Sequence, residues 1–329
     1  GLSYPLVPGY EGVGTVIEAG VDSDFEVGET VFVPGATCYR GAAGLFGASA
    51  RRVVVPATRI TRVSEDLGEQ AILLSLAATA RHALGGSLPG KSILIVGHGV
   101  VGRLLARLLI ADGYSAPTVW EQSAQRMTGG VGYTVTTAEA CPDATYETII
   151  DASGDGGLLD TLVGRLAKGG EIILAGFYAQ PLSFNFAPAF MREARLRIAA
   201  EWQPGDLDAV LDHLARGRLS LDGLISHTVP AARAGEAYHT AFTDPACTHL
   251  VLDWRPGQGP RRPVSPLTQS DRSTISFATR LPHRRRPSRP GRLPRKLRSL
   301  RSTARAGSAR ASRFRTCPTC SPSRARRRC

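Results

Sequence analysis

The chain opens with short apolar runs. Residues 13–18, 30–33 and 52–55 are rich in valine and isoleucine, with turns at Pro8-Gly9 and Pro34-Gly35. That is the grammar of short strands wrapped into a small β-barrel. Over residues 69–84 the apolar positions change to helical spacing, and Gly85-Gly86 with Pro89-Gly90 then break the chain. Beyond the break, strand and helix patterns alternate: strand 92–96, helix 100–111, strand 117–120, strand 147–151, helix 158–167 and strand 171–176. Strands alternating with helices of ten to twelve residues predict a parallel, doubly wound α/β sheet. A helix over 207–215, a strand over 224–229, a helix over 235–242 and a strand over 248–254 follow, and there the periodicity stops. The pattern divides the chain into a barrel segment (1–86), a doubly wound domain (87–215), a return segment (216–254) and a tail (255–329).

Charge separates the tail from the body. Residues 255–329 hold 22 Lys and Arg against one Asp, a net of +21, so of the total of +12 the body carries 12 − 21 = −9. An acidic body gives no electrostatic reason for specific nucleic-acid binding and suits a cytoplasmic enzyme. The tail, built of Arg, Ser, Pro and Ala, cannot bury enough apolar surface to offset its ordering entropy and is expected to be disordered. Its bias is also that of GC-rich DNA read out of frame, and a frame artefact and a natural extension both stay open. No apolar run approaches the about 18 residues of a bilayer span. The first residue is Gly1, so any targeting segment would lie upstream. Cys38, Cys141 and Cys247 are scattered singles, which points to a reduced, intracellular body.

Gly97-His98-Gly99-Val100-Val101-Gly102 is a G-x-G-x-x-G loop that follows one predicted strand and opens one predicted helix. In that context Gly97 makes the tight turn, Gly99 lets the backbone approach a pyrophosphate, and Gly102 lets helix and sheet pack closely. The first helical residues, Val100 and Val101, present backbone N–H groups to the phosphates. Glu121, at the end of the next strand, is placed to accept hydrogen bonds from the adenine ribose hydroxyls. This favours NAD over NADP, with Arg126 five residues on softening the discrimination.

Other residues carry a family resemblance. Gly9-Tyr10-Glu11-Gly12-Val13-Gly14 resembles the G-H-E-x-x-G motif of the medium-chain dehydrogenase/reductase family, with Tyr10 in the histidine's place. Thr79-Ala80-Arg81-His82-Ala83-Leu84 resembles the helix that precedes that family's Rossmann domain. The resemblance implies a GroES-like catalytic barrel over 1–86 whose first strands are missing, and a Rossmann domain over 87–215. The idiosyncratic run from Gly176 to Glu193, with Ala199-Ala200-Glu201-Trp202, is similar to the bacteriochlorophyllide 3-hydroxyethyl dehydrogenase branch. This branch implies oxidation of a 3-(1-hydroxyethyl) group to 3-acetyl with NAD on a pigment substrate, by a cytoplasmic enzyme working close to the photosynthetic membrane.

A catalytic zinc takes three protein ligands. Here Tyr10 and Ser75 stand at two of those positions, the region of the third is absent, and the structural-zinc lobe is reduced to Cys38. The body is therefore expected to be metal-free. Cys317-Pro318-Thr319-Cys320 has ligand-like spacing but no second pair. Without a Lewis acid, the hydroxyl proton needs a side-chain acceptor. By analogy the candidates are Tyr10 with Glu11 as its partner, and His82 on the Thr79 helix; a Tyr10 that merely fills the vacated zinc pocket is the competing reading. Thr79 and the Gly176-Phe177 turn match family positions on the nicotinamide side, and Ala152 and Gly154 match positions on the adenosine side. Phe177, Tyr178, Phe184 and Phe190 belong to an aromatic concentration suited to stacking on a flat pigment. Core packing or a homodimer contact explains the same cluster.

Two other functions compete: a zinc-free quinone or enone reductase of the same family, against which Glu121 argues, and a polyanion-binding protein acting through the tail. Ending the chain at Arg255, with the upstream region restored in both forms, is expected to leave turnover unchanged. It should also abolish retention on polyanions, which in the full chain fades between about 50 and 200 mM salt. A large fall in turnover on truncation would overturn this reading.

Overall fold

The computed structural model describes residues 4–85, 88 and 90–255. The tail from residue 256, its cysteine pair and Gly86 lie outside the described residues. The barrel segment contains β1 (Leu6–Val7), β2 (Gly12–Thr15), β3 (Thr30–Val33), β4 (Ala43–Gly44) and β5 (Thr61–Arg62). β3 is the centre of an antiparallel β2-β3-β5 sheet, and β1 pairs with β4. Val16, Val31, Val33, Val53, Val55 and Ile60 form its buried core. Residues 52–55, expected as a strand, keep the alternation, with Val53 and Val55 buried and Val54 exposed, but pair with no strand among the described residues. Pro56, which has no N–H, leads instead into a 3-10 turn over Ala57–Arg59, and that turn delivers β5 to the edge of β3.

Ser64 then caps a 3-10 stretch over Glu65–Leu73 that runs into α1 (Leu74–Ala83). Helix α1 is buried on nearly every side and carries mostly small residues, so it packs closely against its neighbours. The doubly wound part follows: β6 (Ile93–Val96), α2 (Val100–Ala111), β7 (Thr118–Trp120), β8 (Thr134–Thr136), β9 (Tyr146–Asp151), α3 (Leu159–Arg165), β10 (Leu166–Leu174), α4 (Phe186–Met191) and β11 (Arg195–Ile198). All six strands are parallel, in the order β11-β10-β9-β6-β7-β8. The order reverses between β6 and β9, so the glycine loop after β6 lies at the topological switch point, where such sheets bind ligands. β6 is buried along its whole length, as a central parallel strand must be.

The short barrel strands β1, β4 and β5 were not expected, nor were three elements of the doubly wound part. β8 is three residues long, β11 alternates Arg with Leu and Ile and so reads as polar, and α4 carries Pro188 inside one and a half turns. β10 begins at Leu166, earlier than the expected 171, because an irregularity around Gly169 and Gly170 lets one strand bridge both runs.

The return begins with α5 (Pro204–Ala215), entered through a Gln203–Asp206 capping box with Pro at its first turn. β12 (His227–Pro230) and β13 (Leu250–Asp253) pair in parallel, and α6 (Ala234–Thr243) connects them. α1, α2, β6, α5 and the leucines at 219, 221 and 224 share one buried core, so the doubly wound packing reaches across both pattern boundaries, at 86 and at 215. Among the described residues no helix is long and apolar enough to cross a membrane.

Candidate active site

At the end of β6 the chain turns through Gly97 with φ of +96°, a conformation reserved for glycine. A Cβ at Gly97 would lie 3.1 Å from Ser153 Cα and 3.2 Å from the Ala152 carbonyl, so the loops after β6 and β9 are in contact. At Gly102 a Cβ would come within 1.9 Å of the Gly97 carbonyl oxygen. The first turn of α2 is thereby drawn onto the loop. Gly99 caps α2 without a side-chain bond, and the space above it is open, the nearest atom being Arg126 Nη1 at 4.0 Å. Uncapped N–H groups, a bare glycine and a guanidinium face one space, which is what a dinucleotide phosphate requires.

Glu121 does more than end a strand. Its Oε2 accepts the backbone N–H of His98 at 2.9 Å, and its Oε1 accepts those of Gln122 at 2.9 Å and Ser123 at 2.8 Å. One carboxylate thus clamps the glycine loop to the end of β7 and keeps a lone pair free on Oε2. The side chain of His98, an unread position within the motif, is fully buried. Its Nδ1 donates to the Arg126 carbonyl at 2.6 Å, leaving Nε2 to accept from the Tyr133 hydroxyl at 2.8 Å. Burial pushes this imidazole below its ordinary pKa, in keeping with a neutral ring. Arg103 donates to the carbonyls of His98 and Thr128. Arg126 Nε donates to the Pro245 carbonyl at 2.6 Å, so the return segment is tied to the loop.

On the barrel side, Tyr10 and Glu11 line a cavity of about 980 Å³, together with Phe46, His249 and Trp254. The Tyr10 and Phe46 ring centroids are 5.2 Å apart. Burial, then the charge of Glu11, its hydrogen bond and the charge of Glu201, hold the Tyr10 hydroxyl protonated well above the usual tyrosine range. His249 Nε2 lies 3.2 Å from Glu11 Oε2, at ion-pair distance though without hydrogen-bond alignment. His249 went unread because its partner sits at the opposite end of the body. Ser75 Oγ donates to the Tyr10 carbonyl, and Thr79 Oγ1 donates to the Ser75 carbonyl, each at 3.0 Å, so α1 connects Thr79 to Tyr10.

Two expected groupings are split. His82 Nδ1 is 2.9 Å from Asp206 Oδ2, and the same carboxylate oxygen accepts the Gln203 N–H at the cap of α5. This ring ties α1 to α5 and is not free in the cavity. The aromatic residues expected as one surface fall into two places. Tyr178 donates to buried Asp151 at 2.8 Å, above the Gly154 and Gly176 turns, and burial with the Asp151 charge raises its pKa. Phe177, beside it, is 94% exposed. Phe184 and Phe190 lie instead with Lys168 and Leu196 in a separate shallow depression. Among the described residues no three His, Cys, Asp or Glu side chains converge as a metal would need.

The alcohol dehydrogenase GroES-like domain matches residues 1–65. A 2-desacetyl-2-hydroxyethyl bacteriochlorophyllide A dehydrogenase from Rhodobacter capsulatus is 56% identical over 256 residues, covering 78% of this chain and 82% of that protein. Among solved structures, a short chain alcohol dehydrogenase from E. coli CFT073 in complex with NADH superposes with a TM-score of 0.66 at 20% identity, covering 77% of this chain and 85% of that one. A dehydrogenase from Sinorhizobium meliloti 1021 bound to NADP gives 0.63 at 19% identity, covering 76% and 83%. At such identities the two structures show the fold, which is the expected one.

Gly102→Ala is expected to weaken dinucleotide binding at least about tenfold and to lower stability, because backbone must move to admit the methyl. Gly99→Ala, at an ordinary φ, should leave the unfolding free energy within about 0.5 kcal/mol yet still weaken binding. Fluorescence titration and denaturant unfolding read the two effects. A Gly102→Ala chain that binds like the parent would sink the close-contact reading.

Proposed function

The chain belongs to the medium-chain dehydrogenase/reductase family, in the branch of the bacteriochlorophyllide dehydrogenases, and from that premise we propose that it oxidises the 1-hydroxyethyl group of a bacteriochlorophyllide to acetyl with NAD. The carbon carrying this group is numbered 3 here and 2 in the relative's name. The observation that carries the proposal is the 56% identity with that relative, joined to a glycine loop and carboxylate built for a dinucleotide. The enzyme is assigned to the cytoplasm, meeting its pigment at the photosynthetic membrane surface.

A bound nicotinamide would supply the acceptor for the hydride of the carbinol carbon. The chain's residues position the partners and take the proton. Val100 and Val101 hold the phosphates through their N–H groups, and Glu121 holds the adenine ribose. Thr79, Gly176 and Phe177 flank the nicotinamide side, and Ala152 and Gly154 the adenosine side. Tyr10, kept neutral, accepts a hydrogen bond from the substrate hydroxyl and donates its own proton to Glu11, so a proton crosses to the carboxylate without a free phenolate. A phenol and an aliphatic hydroxyl at positions 10 and 75 are poor zinc ligands, which supports a reaction without metal. The apolar lining of the Tyr10 cavity suits the edge of a macrocycle.

Absorption spectroscopy of the chain with NAD and hydroxyethyl pigment is expected to show conversion to the acetyl pigment, with NAD preferred over NADP. Glu121→Ala should narrow that preference about tenfold or more, since one carboxylate charge repels a 2′-phosphate by a few kcal/mol at contact. Equal kcat/KM with both cofactors in the parent would refute the ribose assignment.

Because burial and two carboxylates raise the Tyr10 ionisation, the neutral form persists on going alkaline. The parent's kcat should therefore show no tyrosine limb up to about pH 10, and Tyr10→Phe should lower kcat about 100-fold or more. An alkaline rise in the parent that vanishes in Tyr10→Phe would make the phenolate the base and overturn the relay.

A further inference from the structure

A proton handed to Glu11 has to leave it again. A protonated carboxyl has no room for the next proton from Tyr10, so a site that turns over needs a base that empties Glu11 between reactions. The wall of the Tyr10 cavity contains one. His249 stands immediately before β13, and its Nε2 lies 3.2 Å from Glu11 Oε2, with the two side chains 12% and 17% exposed.

The ring is placed there by a backbone held on both sides. Ser226 Oγ accepts the His249 N–H at 3.1 Å and donates to the His249 carbonyl at 2.9 Å. The same carbonyl accepts the backbone N–H groups of Ser226 and His227 at 2.9 and 3.2 Å. With its main chain fixed in this way, the imidazole keeps only its side-chain torsions. Its Nε2 is nevertheless buried without a hydrogen-bond partner. A buried polar atom left unpaired is costly, and in a native fold it calls for an explanation. A neutral imidazole with its hydrogen on Nδ1 supplies one: the Nε2 lone pair offers a carboxylate nothing to accept, and becomes a partner once Glu11 carries a proton to donate.

We propose that His249 is the residue that clears the proton from Glu11 after each oxidation, an inference that rests on the alcohol oxidation proposed above. In one turnover the hydride goes to the dinucleotide, and the substrate hydroxyl proton passes to the Tyr10 oxygen as Tyr10 gives its own to Glu11. Glu11 then gives that proton to His249 Nε2, and the imidazolium releases its Nδ1 proton to water. One alcohol and one oxidised dinucleotide become one ketone, one reduced dinucleotide and one free proton. His249 acts on the substrate only through the carboxylate, which makes it a positioning residue for the proton path. The side-chain type matters, because imidazole both takes up and returns a proton near neutral pH, whereas an ammonium or a guanidinium in the same place stays charged.

Turnover of hydroxyethyl pigment by the full chain with NAD tests this. His249→Ala is expected to lower kcat about 100-fold with both KM values within about threefold of the parent, and retained dinucleotide binding shows that the variant is folded. Added imidazoles should restore kcat in the order of their basicity, a response that a merely structural ring would not give. His249→Lys keeps a cation beside Glu11 and should stay as slow as His249→Ala. So should His249→Gln, which preserves bulk without a base. In a Glu11→Gln background His249→Ala should cost little more, since the ring acts through that carboxylate. A parent that leaves the pigment unoxidised overturns the alcohol reading and this inference with it. With an active parent, a His249→Ala or His249→Lys chain as fast as the parent overturns the relay and leaves the reaction standing. Rescue that ignores base strength, or full losses that add in the double variant, does the same.

Discussion

The closeness of α2 to the loop after β6 governs the cofactor side of this molecule. The carbonyl of Gly97 occupies the space where residue 102 would carry a Cβ, so the helix can approach the sheet this far only with glycine there. That approach aims the free N–H groups of the first helical turn at the crevice over the switch point. The same loop is in contact with the turn after β9 through Gly97, so the two strand ends that bracket the crevice are set by one packing event. Glu121 then fixes the loop from the other side with its bond to His98 N–H. A carboxylate at this place is therefore part of the crevice wall, holding the glycine loop and the end of β7 with one side chain.

The barrel side is joined to this core by Phe32 of β3, buried in the same apolar cluster as α1, α2 and β6, and by polar ties. Ser75 and Thr79 carry a hydrogen-bonded line from the α1 helix to the Tyr10 backbone. Arg126 binds the carbonyl of Pro245, four residues before His249, whose ring faces Glu11. The return segment thus binds Arg126, in the turn after β7 beside the glycine loop, at one end and reaches the acidic centre at the other. Such a segment adds to the shared packing at Phe32 in holding the tyrosine–carboxylate pair relative to the crevice, while a second apolar cluster belongs to the barrel alone.

Much of the Rossmann half was legible in the chain because its signals are local. A buried strand reads as four consecutive aliphatic residues, and a phosphate loop needs glycines at fixed offsets, both of which survive in a one-dimensional string. β8 and β11 were not legible, because edge strands are short and half polar, and their strand character comes from a neighbour supplied by the tertiary fold. The run over 52–55 failed in the opposite sense, having the right residues and no partner.

The chain alone showed the place of the glycine loop and the carboxylate after β7, from residue type and offset, and the fold family, from the runs that resemble it. Packing settled three further points: His82 is bound to the cap of α5, His249 comes to Glu11, and the aromatic residues separate into the turn after β10 and a sheet-edge surface. The physical reason is common to all three. A side chain's chemistry is set by what desolvates it and bonds to it, and those partners are brought from distant parts of the chain by packing that no local pattern encodes.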